Sequence, residues 1–362
     1  MIGTDGARVI ENDVSAQSDA KTGDGIALVP GLDGSGINAC QVLANRVSGV
    51  PGHGIVLRTA VNSGMIKQNV IARVGGGGIV MEESGSAGSL AIENNELLDI
   101  AETFNQQGEQ IAAIRVVSAE RADVLNNVIR NVARASTQSQ GRVGIQLATV
   151  TEARISGNTI SGVGPVGEQA GQSAGIQVLP SFFRMDVEGN SVRRAADDSE
   201  KVTVAAWRAL AVTGVEGLFI VTPSLTVVAV GLVAGLFTPS RIRVIPLRQD
   251  NVSARGNSLR GEVTALDVVR IDDVDHCLFA ENHSLKTSTA ATGGGQNVVQ
   301  MFRGGTAIVS ANRVRGSDPK LSSISLFEQK GRTVLGNVTG TPIQFDGVDI
   351  TPPWRDLNIL AP

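Results

Sequence analysis

The chain has 362 residues and a formal net charge of −4, so its 31 basic and 35 acidic residues are nearly balanced. This balance excludes the basic excess on which nucleic-acid binding depends, and it gives no acidic excess that would predict a cationic partner. Aromatic residues make up only 3% and Tyr is absent, which counts against a polysaccharide-degrading cleft, because such clefts stack sugar rings on aromatic side chains. Apolar residues at 42% are enough for a large core.

The residue types that hold metals or form disulfides are scarce. Cys40 and Cys277 are too few for a disulfide framework, and the three histidines show no zinc spacing, so we predict no cofactor. The N-terminus begins almost inside a repeat and shows no signal peptide. The sequence therefore assigns no compartment, and it is compatible with a piece of a larger secreted or particle-associated protein.

An asparagine recurs along almost the whole chain, mostly at intervals of 24 to 33 residues and once after 67. The residue three before it (position −3) is always apolar, and the residue five before it (position −5) is mostly small or apolar. Because alternate residues of a strand share a face, these positions predict a strand with one buried face in each unit. Cys40 and Cys277 both occupy position −5, so we predict that both are buried. The recurring asparagines are Asn12, Asn45, Asn69, Asn95, Asn127, Asn158, Asn190, Asn257, Asn282, Asn312 and Asn337.

A second short strand precedes each asparagine in most units. In the central units it begins with Gly-Ile, as in Gly144-Ile145 and Gly175-Ile176. No helical period persists, and one unit is too short to bury its own apolar face, so we expect stacked units to share a continuous core. These strands start at Ile55, Ile79, Ile114, Ile145, Ile176, Val298 and Ile324.

These units resemble the repeat of the right-handed parallel β-helix family, the pectate-lyase-like superfold. The resemblance implies an all-β solenoid of about eleven turns over residues 1–345, with an apolar insert at about 213–245 and a C-terminal cap at 346–362. At each turn we expect the asparagine to adopt left-handed backbone geometry and to stack its side-chain amide into a ladder. Because the superfold hosts both enzymes and inert rods, it implies no activity, and we predict a non-catalytic member.

Polar extra segments follow Asn95, Asn127, Asn158 and Asn190, always in the same phase of the repeat. Inserts in one phase map to one face of a solenoid, so we expect four stacked loops. They form either a ligand face, with carbohydrate as the candidate ligand, or surface loops without a function of their own. The candidate ligand-face residues are Gln106, Gln140, Gln169 and Gln172. If the chain is an enzyme, the candidate catalytic acids are Glu102, Glu109, Glu168, Asp197 and Asp198.

The longest interval between asparagines contains an uncharged apolar segment at 217–237. Its length is enough to span a membrane, but Pro223 and many β-branched residues favour strands, so membrane insertion is the least favoured interpretation. The alternatives are packing against the solenoid and contact with a protein partner or a second copy. The candidate contact residues are Leu218, Phe219, Leu232, Leu236 and Phe237.

Two short clusters could carry chemistry. The run 52–54 is similar to the Gly-His-Gly of polygalacturonases, but the paired aspartates before it and the Arg-x-Lys after it are missing, so we interpret it as the start of a repeat. Asp272, Asp273 and Asp275 form the densest acidic cluster. Adjacent strand residues alternate between faces, so a solvated turn is favoured over a weak calcium site or a catalytic pair.

The missing catalytic motifs, the scarce aromatic residues and the uncharged polar loops favour a non-enzymatic structural or binding solenoid. We expect such a body in a phage-tail-like or injection particle, or as a surface adhesin. The alternative is a polysaccharide lyase or glycoside hydrolase that acts on the polar loop face.

Overall fold

The computed structural model describes residues 6–16, 21–101, 111–135, 141–165, 173–194, 207–214, 251–261, 267–286, 297–316 and 322–360. In these ranges the regular structure is parallel β-strand almost throughout, with one 3-10 helix at Arg355–Leu357. The strands stack turn upon turn in chain order and form a right-handed parallel β-helix, which confirms the predicted fold class. The strands form three stacks, which we name sheets I, II and III.

Sheet I contains the Gly-Ile strands, and sheet II contains the strands that lead to the asparagines. The two sheets merge near the C-terminus, because Val299–Ser310 and Ile324–Leu335 run through both. The other strands of sheet I are Ile26–Leu28, Ile55–Leu57, Ile79–Met81, Ile111–Val116, Arg142–Leu147, Ser173–Val178, Trp207–Thr213, Val269–Asp272 and Ile343–Phe345. The other strands of sheet II are Gly6–Ile10, Ile37–Leu43, Ala60–Lys67, Ser86–Glu93, Ala119–Leu125, Val150–Ser156, Arg184–Glu188, Asn251–Arg255 and His276–Ala280.

Sheet III begins directly after each asparagine and turns the chain back over the core. The apolar residue two after the asparagine (position +2) points inward, as Ile71 and Ile160 do with 0% exposure. The strands of sheet III are Asp13–Ser15, Arg46–Ser48, Val70–Val74, Glu96–Ile100, Val128–Val132, Thr159–Val163, Ser191–Arg193, Ser258–Gly261, His283–Lys286, Arg313–Gly316, Val338–Thr339 and Ile359–Leu360.

The core lies between the three sheets and has the predicted faces. Cys40 and Cys277 are buried and unbridged, as predicted, and burial raises the pKa of the Cys277 thiol to about 12, so it packs as an apolar group. The glycine of the Gly-Ile strand faces position +2 of the same turn. A Cβ on Gly144 would lie 2.7 Å from Cγ2 of Ile160, which is too close for any other residue. The Gly-Ile motif therefore allows sheets I and III to approach each other.

The asparagines form the predicted ladder. Asn127 is fully buried, and its backbone N–H and side-chain Nδ2 both donate to Oδ1 of Asn158, at 2.9 and 3.0 Å. Its Nδ2 also donates to the carbonyl oxygen of Ile92, at 2.9 Å. The same pattern recurs from Asn12 to Asn337, so each turn supplies the acceptor that the preceding turn needs.

The expected backbone geometry of these asparagines was wrong by one position. The left-handed residue is the one before the asparagine, with φ of 53° at Ala44 and 66° at Gly157. This residue ends the sheet II strand and reverses the chain, so the following asparagine can point its amide inward. The left-handed residues are Glu11, Ala44, Gln68, Asn94, Asn126, Gly157, Gly189, Gly256, Glu281, Ala311 and Gly336.

The C-terminal residues extend the ladder beyond Asn337. Oδ1 of Asn358 accepts hydrogen bonds from the backbone and the side chain of Asn337, at 3.1 and 2.9 Å, and the next strand pairs with sheet III. Val348–Asp349 pairs antiparallel to the last sheet I strand, and Trp354 contacts Phe345 edge-on at 6.3 Å. Residues 346–362 thus contain one more repeat-like rung in addition to irregular structure.

Candidate functional site

The predicted loop face and the predicted apolar arm lie outside the described residues. The candidate ligand-face residues there are Gln106, Gln140, Gln169 and Gln172. The candidate acids there are Glu102, Glu109, Glu168, Asp197 and Asp198. The candidate contact residues there are Leu218, Phe219, Leu232, Leu236 and Phe237. These interpretations remain predictions.

The acidic cluster of sheet I is divided between different partners. Asp272 accepts a hydrogen bond from Nε of Arg270 at 2.6 Å, whereas Asp273 pairs with Arg303 at 3.0 Å. The strand ends at Asp272, Asp273 adopts left-handed backbone with φ of 57°, and Asp275 lies beyond the strand. Over the described parts of the chain, no three His, Cys, Asp or Glu side chains are arranged to hold a metal ion.

Four polar residues meet on the outer side of sheet I near the N-terminus. Arg58 donates to Asp24 at 2.7 Å and to both carboxylate oxygens of Glu82 at 2.9 Å. The Glu82 and Asp24 carboxylates raise the pKa of the Arg58 guanidinium. Nε2 of His53 lies 3.8 Å from Glu82. The cluster joins three consecutive turns, and its partners are 24 to 34 residues apart in the chain.

The geometry of His53 favours a structural role for this cluster. Its Nδ1 accepts the backbone N–H of Gly77 at 2.9 Å, so the neutral ring carries its proton on Nε2. A Cβ on Gly76 would lie 2.6 Å from that Nδ1, which explains why glycines lie beneath the ring. A general base would need Nδ1 for the incoming proton, and here Nδ1 already accepts a bond. The cluster therefore holds successive turns together.

Two phenylalanine rings stack on the outer side of sheet I near the C-terminus. Phe302 and Phe327 lie 5.2 Å apart with an interplanar angle of 9°, and Arg303 lies 5.1 Å from the centre of the Phe302 ring. The rings present their faces to each other along the stack. The stacked pair thus joins two successive turns, because Phe302 and Phe327 are aligned in the strand register.

A groove of about 1110 Å³ runs along sheet II across successive turns. It lies where the strands bend, since Asn38 and Ala39 are both exposed and interrupt the alternation of faces. The floor of the groove is made of small residues such as Gly36, Ala60 and Gly88. Its polar lining residues are Ser35, Asn38, Asn62, Ser86, Ser118, Glu120, Thr149, Thr151 and Ser181.

The groove presents hydroxyl and amide groups with almost no charge. Among the lining residues in the described part of the chain, Glu120 is the one ionisable residue. The strand register aligns Asn38, Asn62 and Gly88 on successive turns, with Glu120 and Thr151 following them. A ligand that lies along the groove therefore meets polar groups at the spacing of the turns, roughly 4.8 Å. The loops predicted to form the ligand face are a different part of the chain.

The chain was compared with models of protein families, with curated proteins and with solved structures. None of these matches it. The described part of the chain contains no helix long and apolar enough to cross a membrane.

Proposed function

We propose that this protein is a non-enzymatic binding body, a non-catalytic relative of the pectate-lyase-like superfold, whose sheet II groove binds an uncharged glycan chain. The observation that carries the proposal is the alignment of small and polar residues along the groove over successive turns. An elongated groove with repeated polar groups suits a polymer whose units repeat along its length. Within a tail-like particle, an injection particle or a surface adhesin, such a rod would hold a glycan along its side.

The chemistry of the lining residues supports a polyhydroxyl ligand. Serine and threonine hydroxyls both donate and accept hydrogen bonds, and asparagine amides do the same through separate atoms. Each neutral hydrogen bond contributes only about 0.5–1.5 kcal/mol, so binding in such a groove depends on many contacts in a row. Affinity is therefore expected to rise with oligomer length until the groove is filled.

The charge of the groove opposes anionic polymers. Glu120 is exposed in the middle of the groove, and none of the described residues that line the groove is basic. A polyuronate or a nucleic acid would bring like charge against this carboxylate.

Titration calorimetry with uncharged oligosaccharides of increasing length tests the proposal, with oligouronates for comparison. Asn62→Trp places a bulky ring in the groove and should abolish binding, whereas Thr333→Trp on the same sheet, outside the groove, should leave it unchanged. If no uncharged oligosaccharide binds to the wild type, the proposal is wrong. If products are released from any of them, the enzymatic alternative is correct instead.

A further inference from the structure

The outer face of sheet II carries an array of alternating charges on three consecutive turns. The residues at position −6 are Arg121, Glu152 and Arg184, and those at position −4 are Asp123, Arg154 and Asp186. The strand register aligns the members of each position directly across neighbouring strands. Within this set of six, every charge therefore has opposite charges beside it, both along its own strand and across to the next. Glu188, two residues beyond Asp186, extends the pattern as a further partner of Arg154 at 3.6 Å.

The array is exposed and has clear borders. Nε of Arg121 lies 3.1 Å from Asp123, and the side chain of Arg121 is 62% exposed. Along the stack, uncharged residues border position −6, with Ser89 aligned to Arg121 on one side and Asn251 aligned to Arg184 on the other. Exposed ion pairs stabilise a single chain only weakly. The regular charge pattern is therefore of more use for recognising another surface than for stabilising this chain.

We propose that this array is the contact surface for a second copy of the chain, with the two rods parallel and side by side. The two-fold axis would run along the stack, between positions −6 and −4. It would bring position −6 of one copy opposite position −4 of the other on the same turn. Arg121 would then face the partner's Asp123, and Glu152 would face the partner's Arg154. All six charges would meet opposite charges.

The same array disfavours the other ways of joining two copies. A two-fold axis along the strands at the level of Glu152 would place Glu152 against the partner's Glu152 and Arg121 against the partner's Arg184. The same axis placed between the turns of Arg121 and Glu152 would pair the charges of those two turns and leave the charges of the third turn opposite uncharged residues. A shift by one turn in the parallel arrangement would also bring like charges together, because the signs alternate along the stack. The charges thus favour the parallel arrangement in register, in which all six charges are paired, as complementary interfaces do.

Exposed apolar side chains on the same sheet add to the contact. Phe183 and Ile308 are 42% and 40% exposed, on the turns at and beyond the end of the array. Their burial between two rods would contribute apolar area, which an interface needs in addition to charge. The groove residue Glu120 precedes Arg121, so each groove would lie at the border of the contact.

Two single charge reversals test the proposal. In Glu152→Arg, the introduced guanidinium would face the partner's Arg154, and in Arg154→Glu, two carboxylates would meet in the same way. When the two variants are mixed, however, every contact again joins opposite charges. We expect the wild type to sediment as a dimer at low ionic strength, each variant alone as a monomer, and the equimolar mixture as a dimer of one variant with the other.

Controls separate this contact from other kinds of association. Arg313→Glu reverses an exposed charge on sheet III and should leave the wild-type dimer unchanged. Circular dichroism and thermal unfolding establish that each variant is folded. At about 1 M salt the Debye length falls to about 3 Å, so the wild-type dimer should dissociate. A monomeric wild type, dimers of either variant alone or a monomeric mixture would each overturn the proposal, and so would a dimer that persists at high salt.

Discussion

The asparagine ladder and the outer face of sheet II are built from the same repeat, yet they differ in how strongly one turn constrains the next. Along the ladder the residue type never changes from Asn12 to Asn337. At position −6, on the outer face of sheet II, the type changes from Ser89 to Arg121 to Glu152. A buried donor needs an acceptor on the neighbouring turn, whereas an exposed side chain can be satisfied by water. Specific binding is therefore expected on the outer face.

The largest expected loss of stability follows from the removal of one asparagine from the middle of the ladder. Asn127→Ala removes the acceptor for two donors of Asn95 and leaves the acceptor of Asn158 with fewer donors. Each buried group left without a partner costs about 1–3 kcal/mol, so the loss should be on the order of 3 kcal/mol or more. Urea unfolding measures it. Asn12→Ala, at an exposed rung, is the matched control and should cost much less; equal losses would contradict the comparison.

The second-largest expected effect is a pH-dependent change in stability caused by Asp267. Its carboxyl is fully buried just before the sheet I strand Val269–Asp272. Among the described residues neither oxygen has a hydrogen-bond partner, and the nearest Arg270 nitrogen is 3.7 Å away. Burial raises the pKa of Asp267 from 3.8 to about 6. Because folding raises this pKa, the folded state binds the proton more tightly than the unfolded state. The protonated carboxyl therefore contributes fully to the free energy of unfolding below about pH 4, and this contribution is lost as the pH rises to about 6. The loss should be on the order of 2–3 kcal/mol.

The variant Asp267→Asn removes this titration and keeps the shape of the side chain. Its free energy of unfolding should vary less between about pH 4 and pH 7 than that of the wild type, with the difference centred near pH 5. Urea unfolding at a series of pH values checks this. Parallel pH profiles for the two proteins would show that Asp267 is not the source of the titration.

A smaller effect, a gain in stability, is expected at the left-handed residue directly before a ladder asparagine. Ala44 and Ala311 adopt left-handed backbone with φ of 53° and 54°, where a Cβ costs roughly 1–2 kcal/mol. Ala311→Gly should therefore stabilise the protein by up to about 1 kcal/mol, after the greater unfolded-state freedom of glycine is subtracted. Thermal unfolding measures the change. The reverse replacement Gly256→Ala, where a Cβ meets no atom within 4 Å, should destabilise through the backbone alone.

The smallest change in the free energy of unfolding is expected for exposed outer-face residues, which are not members of the ladder. Ser89→Ala should change the free energy of unfolding by less than about 0.5 kcal/mol, because its exposed hydroxyl is satisfied by water in both states. The same unfolding assay measures it. A loss comparable to that of Asn127→Ala would remove the distinction between the two regions.

The sequence was sufficient to predict the fold and the ladder, because both depend on residues that recur in every unit. It did not show Asn358, since the residue three before it is Arg355 rather than an apolar one. The cluster around His53 was missed because Glu82 and Asp24 lie on neighbouring turns, and only the strand register brings them together. The groove depends on a bend in each sheet II strand, which no residue pattern indicated.

The length of chain between two rungs has no influence on how the rungs meet. Asn190 and Asn257 are 67 residues apart, yet the hydrogen bond between their side chains is 3.0 Å long, like that between Asn45 and Asn69. The rungs on either side of this long interval therefore keep the geometry of rungs that are joined by a short one. New loops, tags or whole domains could be grafted at this interval, which makes the solenoid a scaffold for protein engineering.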